Sequence, residues 1–161
     1  LQGGVEVELA QSDVSVLLSQ TVGEFDERLK AAGLTAVLGL PEKPVLIMAD
    51  GRHLWRVFDN LMNNICKYSQ KGTRVYLDVA ESSGTVTVIF KNISAYELNI
   101  SGEELTERFV RGDRSRNTEG SGLGLSIARS LTELQDGTLD IDIDGDLFKV
   151  TLTFNSIQKG S

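Results

Sequence analysis

The sequence predicts a two-layer α/β sandwich, and three observations predict it. Segments of helical and strand-like period alternate along the chain. Two pairs of strand-like runs are separated by short turn sequences, as in β-hairpins. Each longer helical segment carries a single apolar stripe, so the helices pack by one side onto a layer of antiparallel strands.

In chain order, Val5, Val7 and Leu9 alternate with Glu6 and Glu8, which predicts a first strand over 5–9. Ser12 and Asp13 are cap residues for a helix in which Leu17, Leu18, Val22, Phe25, Leu29 and Ala32 recur at helical spacing until Gly33. A β-rich run over 45–49 follows Pro44. Asp50 caps the next helix, over 51–68, with Leu54, Val57, Phe58, Leu61 and Ile65 as its stripe. Strands over 74–80 and 85–91 form a hairpin across Glu81-Ser82-Ser83-Gly84.

Residues 92–122 have weak periodicity and hold the charged cluster Arg111-Gly112-Asp113-Arg114-Ser115-Arg116. So long an irregular segment inside a small domain predicts a functional lid. A helix over 123–135 follows, with Ile127, Ala128, Leu131 and Leu134 facing inward and Gly137 ending it. Strands over 138–144 and 147–154 pair through Gly145-Asp146. The division is 1–13 as linker and first strand, 14–155 as one domain, and 156–161 as a disordered tail.

Composition narrows the function. The 161 residues fit one domain with a real core, and the net charge of −7 argues against a general nucleic-acid binder. One cysteine, Cys66, and one histidine, His53, rule out an internal disulfide, a cysteine zinc cluster and a multi-histidine metal site. The longest apolar runs, such as 45–49, are far short of a membrane span. The chain starts at Leu1 rather than Met and reads as part of a longer protein.

Two stretches carry chemistry. In Asn60-Leu61-Met62-Asn63-Asn64-Ile65-Cys66-Lys67-Tyr68, the residues Asn60, Asn64 and Lys67 share one helical face. Asparagine oxygens suit magnesium, which also binds through substrate phosphates, and a lysine can neutralise phosphate charge. Taken alone, two asparagines and a lysine at helical spacing read first as a solvated surface face, since the spacing itself demands no ligand. In Gly120-Ser121-Gly122-Leu123-Gly124-Leu125, alternating glycines precede an amphipathic helix. They let backbone approach a ligand while the helix N-terminus offers free N–H groups to phosphate. No Gly-Lys-Ser/Thr follows, so this is not a P-loop, and no strand leads directly into it as in a dinucleotide fold.

Taken together these motifs resemble those of bacterial sensor histidine kinases. Asn60-x3-Asn64-x2-Lys67-Tyr68 resembles their N box, and Gly120-Ser121-Gly122-Leu123-Gly124-Leu125 their second glycine box. Glu107-Arg108-Phe109-Val110-Arg111-Gly112-Asp113 resembles the phenylalanine box that opens the ATP lid. The resemblance covers about 14–154 and implies the Bergerat fold of the GHKL ATPases, a mixed, mostly antiparallel sheet with helices on one face and a long ATP lid. It implies ATP and Mg²⁺ as ligands, with Asn64 on the metal and Asn60 beside the metal and phosphates. Lys67 would contact phosphate, Tyr68 the ribose or phosphates, and Gly120, Ser121, Gly122, Leu123, Gly124 and Leu125 would wrap the triphosphate. Phe109 and Arg111 belong to the lid, with Arg111 placed to stabilise the transferred γ-phosphoryl group.

The first glycine box departs from the family. Where Asp-x-Gly-x-Gly is usual, this chain has Asn92-Ile93-Ser94-Ala95-Tyr96, and Asn92 is expected to replace the adenine-reading Asp with a neutral acceptor. His53 is followed by Leu54 rather than an acidic residue, so it is expected to be an ordinary histidine and not the phosphoacceptor. The resemblance therefore implies a cytoplasmic catalytic domain of a membrane-anchored receptor kinase. Its partners would be its own dimerisation and histidine-phosphotransfer segment and a response regulator, not nucleic acid. Without the dimerisation segment this stretch would be monomeric. The alternatives are a degenerate pseudokinase scaffold and another GHKL protein kinase, such as an anti-sigma-factor serine kinase.

Overall fold

The computed structural model describes residues 6–96 and 123–157. Its elements are β1 (Ala10–Asp13), α1 (Val14–Glu24), α2 (Asp26–Ala31), β2 (Thr35–Gly39), β3 (Leu46–Ala49), α3 (Gly51–Tyr68), β4 (Arg74–Ser82), β5 (Thr85–Ile93), α4 (Leu123–Leu134), β6 (Thr138–Asp144) and β7 (Leu147–Asn155). Five strands form one sheet in the order β2-β4-β5-β7-β6. All neighbours are antiparallel except β2, which runs parallel to β4 with Thr35 opposite Arg74, so the sheet is mixed but mostly antiparallel.

Period-two burial decides which face of that sheet is covered. Val86, Val88, Phe90 and Asn92 of β5 are buried, as are Val150, Leu152 and Phe154 of β7. Against them lies the apolar side of α3, with Leu54, Val57, Phe58, Leu61, Met62 and Ile65 all buried. Leu125, Ala128 and Leu131 of α4 and Val14, Leu18 and Val22 of α1 complete the same core. The α3 helix begins where predicted: the Asp50 side chain accepts from the backbone N–H groups of Arg52 and His53. It ends at Ser69, whose backbone is extended (φ −79°, ψ 150°).

The structure differs from the sequence expectation in several places. The strand expected over 5–9 lies further on, as β1, which pairs with β3 in a separate two-stranded sheet with Ala10 opposite Ala49. Beyond Ala49 the chain turns into α3, so residues 6–9 have no strand beside them among the described residues. The Glu8 N–H donates to the Asp50 carboxylate instead (2.8 Å). The single helix expected from Val14 to Ala32 is broken at Phe25 (φ −97°, ψ 8°), which is buried at the corner between α1 and α2. Strand β2 was not anticipated, because Thr35-Ala36-Val37-Leu38-Gly39 shows no apolar–polar alternation.

The β4–β5 hairpin turns in two residues, Ser83 (φ 52°) and Gly84 (φ 80°), not four. That pair of positive φ angles is what a twisted two-residue hairpin requires. The first two residues of the expected tail are tied to the fold: the Ser156 N–H donates to the Gly84 carbonyl and the Ile157 N–H to the Leu46 carbonyl. Residues 158–161 lie outside the described residues.

Gly137 has a different reason to be glycine from the one the sequence suggests. The residue with positive φ after α4 is Asp136 (64°). A Cβ at Gly137 would stand 2.5 Å from Phe154 Cε1 and 2.9 Å from the Thr153 carbonyl oxygen. Backbone cannot yield as a side chain can, so Gly137→Ala is expected to cost about 1–3 kcal/mol. Urea unfolding would show it as a lowered midpoint at unchanged slope.

Candidate functional site

The site forms where two distant segments of the chain meet on α3. Its apolar side is fixed against β5, which turns Asn60 and Asn64 away from the sheet and toward the start of α4. A Cβ built at Gly124 would lie 3.7 Å from Asn60 Cβ and 3.8 Å from Asn64 Nδ2. Gly124 in the first turn of α4 and the asparagine-bearing side of α3 are therefore in close contact. Leu125, buried beside Gly124, anchors the first turn of α4 there.

The amide nitrogens of Asn60 and Asn64 are buried and have no hydrogen-bond partner among the described residues. Buried amides are nearly always satisfied, so two adjacent orphans next to a helix start point to a ligand that meets them. The first N–H groups of α4 lack intrahelical acceptors and favour negative charge. Asn63, the third asparagine, is not part of this pair. It donates to the Asp59 backbone carbonyl (3.0 Å) and accepts from the Arg28 guanidinium on the α2 side. Burial pushes the Asp59 carboxyl and the Cys66 thiol above their ordinary values, with Arg28 opposing it in both cases. Cys66 is half-buried packing beside the core, as its small size suggested.

The other end of the site is the C-terminus of α3. Asn92 of β5 is 5% exposed, and its amide NH₂ donates to Ser69 Oγ (2.8 Å), which leaves its carbonyl oxygen as the acceptor. Ser69 bridges to Ser94, and Ala95 N–H donates to the Tyr68 carbonyl, so the end of β5 is tied to the end of α3. The Tyr68 ring meets Tyr96 edge-on at 6.1 Å. Lys67 is exposed on the last turn of α3. From Asn60 to Ser69 the axis rises about 13 Å.

Of the sequence-predicted residues, the structure brings together Asn60, Asn64 and Gly124. It places Lys67, Tyr68 and Asn92 toward the far end of the same helix, and Leu125 in the core. Leu123 opens α4. Phe109, Arg111, Gly120, Ser121 and Gly122 lie outside the described residues. Among the described residues no group of three His, Cys, Asp or Glu side chains gathers to hold a metal. Also among them, no helix is long and apolar enough to cross a membrane. Sequence reasoning missed Ser69, which holds Asn92, because a lone serine after a helix carries no pattern. It also missed Gln135, which is 2% exposed and accepts from the Asp50 N–H (2.8 Å) while donating to the Leu131 carbonyl.

Comparison with known proteins gives the family and the fold. Residues 49–156 match the family described as histidine kinase-, DNA gyrase B-, and HSP90-like ATPase. The chain is 29% identical over 140 residues to the signal transduction histidine-protein kinase BaeS of Escherichia coli K12, covering 86% of this chain and 30% of that protein. It is 33% identical over 132 residues to the sensor protein VanS of Enterococcus faecium, covering 79% of this chain and 33% of that protein. The chain thus spans about a third of the length of these curated relatives. Its fold is that of the catalytic domain of histidine kinase ThkA, with a TM-score of 0.78 at 19% identity over 92% of this chain and 95% of that one.

Proposed function

Because the chain belongs to the histidine kinase-, DNA gyrase B-, and HSP90-like ATPase family, as an ATP-binding catalytic domain of the sensor histidine kinase kind, we propose that it holds Mg²⁺-ATP along the polar side of α3. We propose further that it passes the γ-phosphoryl group to a histidine on a separate dimerisation segment, from which a response regulator takes it. The observation that carries this reading is the pair of orphaned amides, Asn60 and Asn64, facing the glycine start of α4. An amide that lacks a protein partner can turn its oxygen to a hydrated cation and its NH₂ to phosphate, so the residues fit both ligands. Mg²⁺, when bound there, supplies neutralisation of phosphate charge that the acidic chain lacks.

On this reading Asn64 would hold the cation through its amide oxygen, with Asn60 beside it. The N-terminal N–H groups of α4, in the turn that holds Gly124, would bind the phosphates. Lys67 reaches the phosphates from the last turn of α3, and Asn92 accepts from the adenine amino group while Ser69 fixes its amide. Arg111, outside the described residues, would stabilise charge on the γ-phosphate. A histidine nitrogen attacks phosphorus as the bond to the β-phosphate oxygen breaks and ADP leaves. The domain's share is positioning and charge stabilisation. The setting is the cytoplasmic part of a membrane-anchored receptor.

Calorimetric titration with a non-hydrolysable ATP analogue, with and without Mg²⁺, tests the reading. Mg²⁺-dependent binding in the micromolar range, about −8 kcal/mol, is expected. Asn92→Ala should then lose the preference for adenine over guanine nucleotide. No binding at millimolar nucleotide in a folded domain would overturn the reading and leave a scaffold without nucleotide.

A further inference from the structure

Behind the proposed nucleotide site, a second set of polar contacts joins three parts of the chain at one buried residue, Asp50. Its carboxylate is 3% exposed and has two separate duties. Oδ1 caps α3 by accepting from Arg52 N–H (3.0 Å) and His53 N–H (3.4 Å), while Oδ2 accepts from Glu8 N–H (2.8 Å) in the N-terminal strap. The strap is gripped a second time where His53 Nε2 meets the Glu6 carbonyl oxygen at 2.7 Å. The backbone N–H of Asp50 donates to the Gln135 side chain just past the C-terminus of α4. The opposite end of α4 is the glycine start that rests on Asn60 and Asn64.

Helix α4 is thus pinned at both ends, to the proposed phosphate site by its first turn and to Asp50 by Gln135. A rigid helix held at two points cannot settle at one without bearing on the other. We infer that Asp50 and Gln135 couple the N-terminal strap to nucleotide occupancy, so that nucleotide drawn onto the start of α4 tightens the grip of Asp50 on Glu8. Neither residue reaches the nucleotide, and both are positioning residues. The inference rests on the nucleotide reading above, in which an upstream dimerisation segment would receive this signal through the strap.

The coupling is reciprocal, so the factor by which nucleotide steadies the strap is the factor by which the strap tightens nucleotide. The test follows the exchange rate of the Glu8 amide hydrogen in the 161-residue chain, free and saturated with the Mg²⁺ complex of a non-hydrolysable ATP analogue. Calorimetry on the same samples establishes occupancy. Nucleotide should slow Glu8 exchange by about fivefold or more. Asp50→Asn keeps a good helix cap but turns an NH₂ toward the Glu8 N–H, where an oxygen is needed. It should speed Glu8 exchange in the free protein, erase the response to nucleotide, and weaken nucleotide by the factor lost. Gln135→Met, close to glutamine in size, should leave Glu8 protected in the free protein yet erase the response. Calorimetric binding with no change at Glu8 would overturn the coupling and leave the nucleotide reading intact. Failure to bind would overturn that reading and the coupling with it.

Discussion

Replacing Asn64 by alanine is expected to weaken Mg²⁺-dependent nucleotide binding by about 100-fold or more, a loss of about 2.7 kcal/mol, without lowering the stability of the domain. Both halves follow from the same observation. The Asn64 amide nitrogen is buried with no partner among the described residues, so in the free protein it is a cost rather than a contact. Alanine also favours the interior of α3 more than asparagine does. The thermal midpoint of Asn64→Ala should therefore equal or exceed that of the parent while calorimetric affinity collapses. Asn63→Ala is the control one residue away. It removes bonds to Asp59 and Arg28 and should lower stability while leaving affinity unchanged. Retained affinity in folded Asn64→Ala would remove Asn64 from the site.

Much of this arrangement was legible in the sequence, for reasons that differ from residue to residue. Helix α3 could be placed end to end because its cap, its stripe and its length all agree. Asp50 precedes it, and Leu54, Val57, Phe58, Leu61 and Ile65 repeat at helical spacing along it. The polar face of Asn60, Asn64 and Lys67 came with that helix for free. That Gly124 would meet Asn60 and Asn64 could not be read from spacing, since contact between segments so far apart is a tertiary fact. It came from the resemblance between motifs.

What stayed hidden shares a cause. Strand β2 lacks alternation and is specified by its pairing with β4, not by its own pattern. The strand expected over 5–9 had the right pattern but no neighbour, and an unpaired strand does not form. Gln135 looks like an ordinary polar residue near a helix end, yet it is buried, because the partner that satisfies it lies 85 positions away in sequence. Local pattern finds elements, whereas long-range hydrogen bonds decide which polar residues go inside.

Phe58→Ala is expected to be the most damaging single change to the fold, and it separates stability from function in the opposite sense to Asn64→Ala. Phe58 is 0% exposed on the apolar side of α3, and its ring meets Phe90 of β5 at 5.8 Å and 48°. Truncation would cost about 3–5 kcal/mol, set against about 5–15 kcal/mol for a whole domain. The thermal midpoint should fall by about 10 °C or more. Two residues further along α3, at 100° each, the chain has turned to its far side, where Asn60 stands. The ligand-facing amides are therefore untouched by the cavity, and Phe58→Ala should still bind nucleotide when folded. Ligand that binds only the folded state stabilises by mass action, about 2.7 kcal/mol at 100 times Kd. Saturating Mg²⁺ and ATP analogue should thus restore much of the lost midpoint in Phe58→Ala and leave the midpoint of Asn64→Ala nearly unchanged. If nucleotide failed to raise the midpoint of Phe58→Ala while raising that of the parent, the amide pair would depend on core packing. The two sides of α3 would then not be separable as the geometry requires.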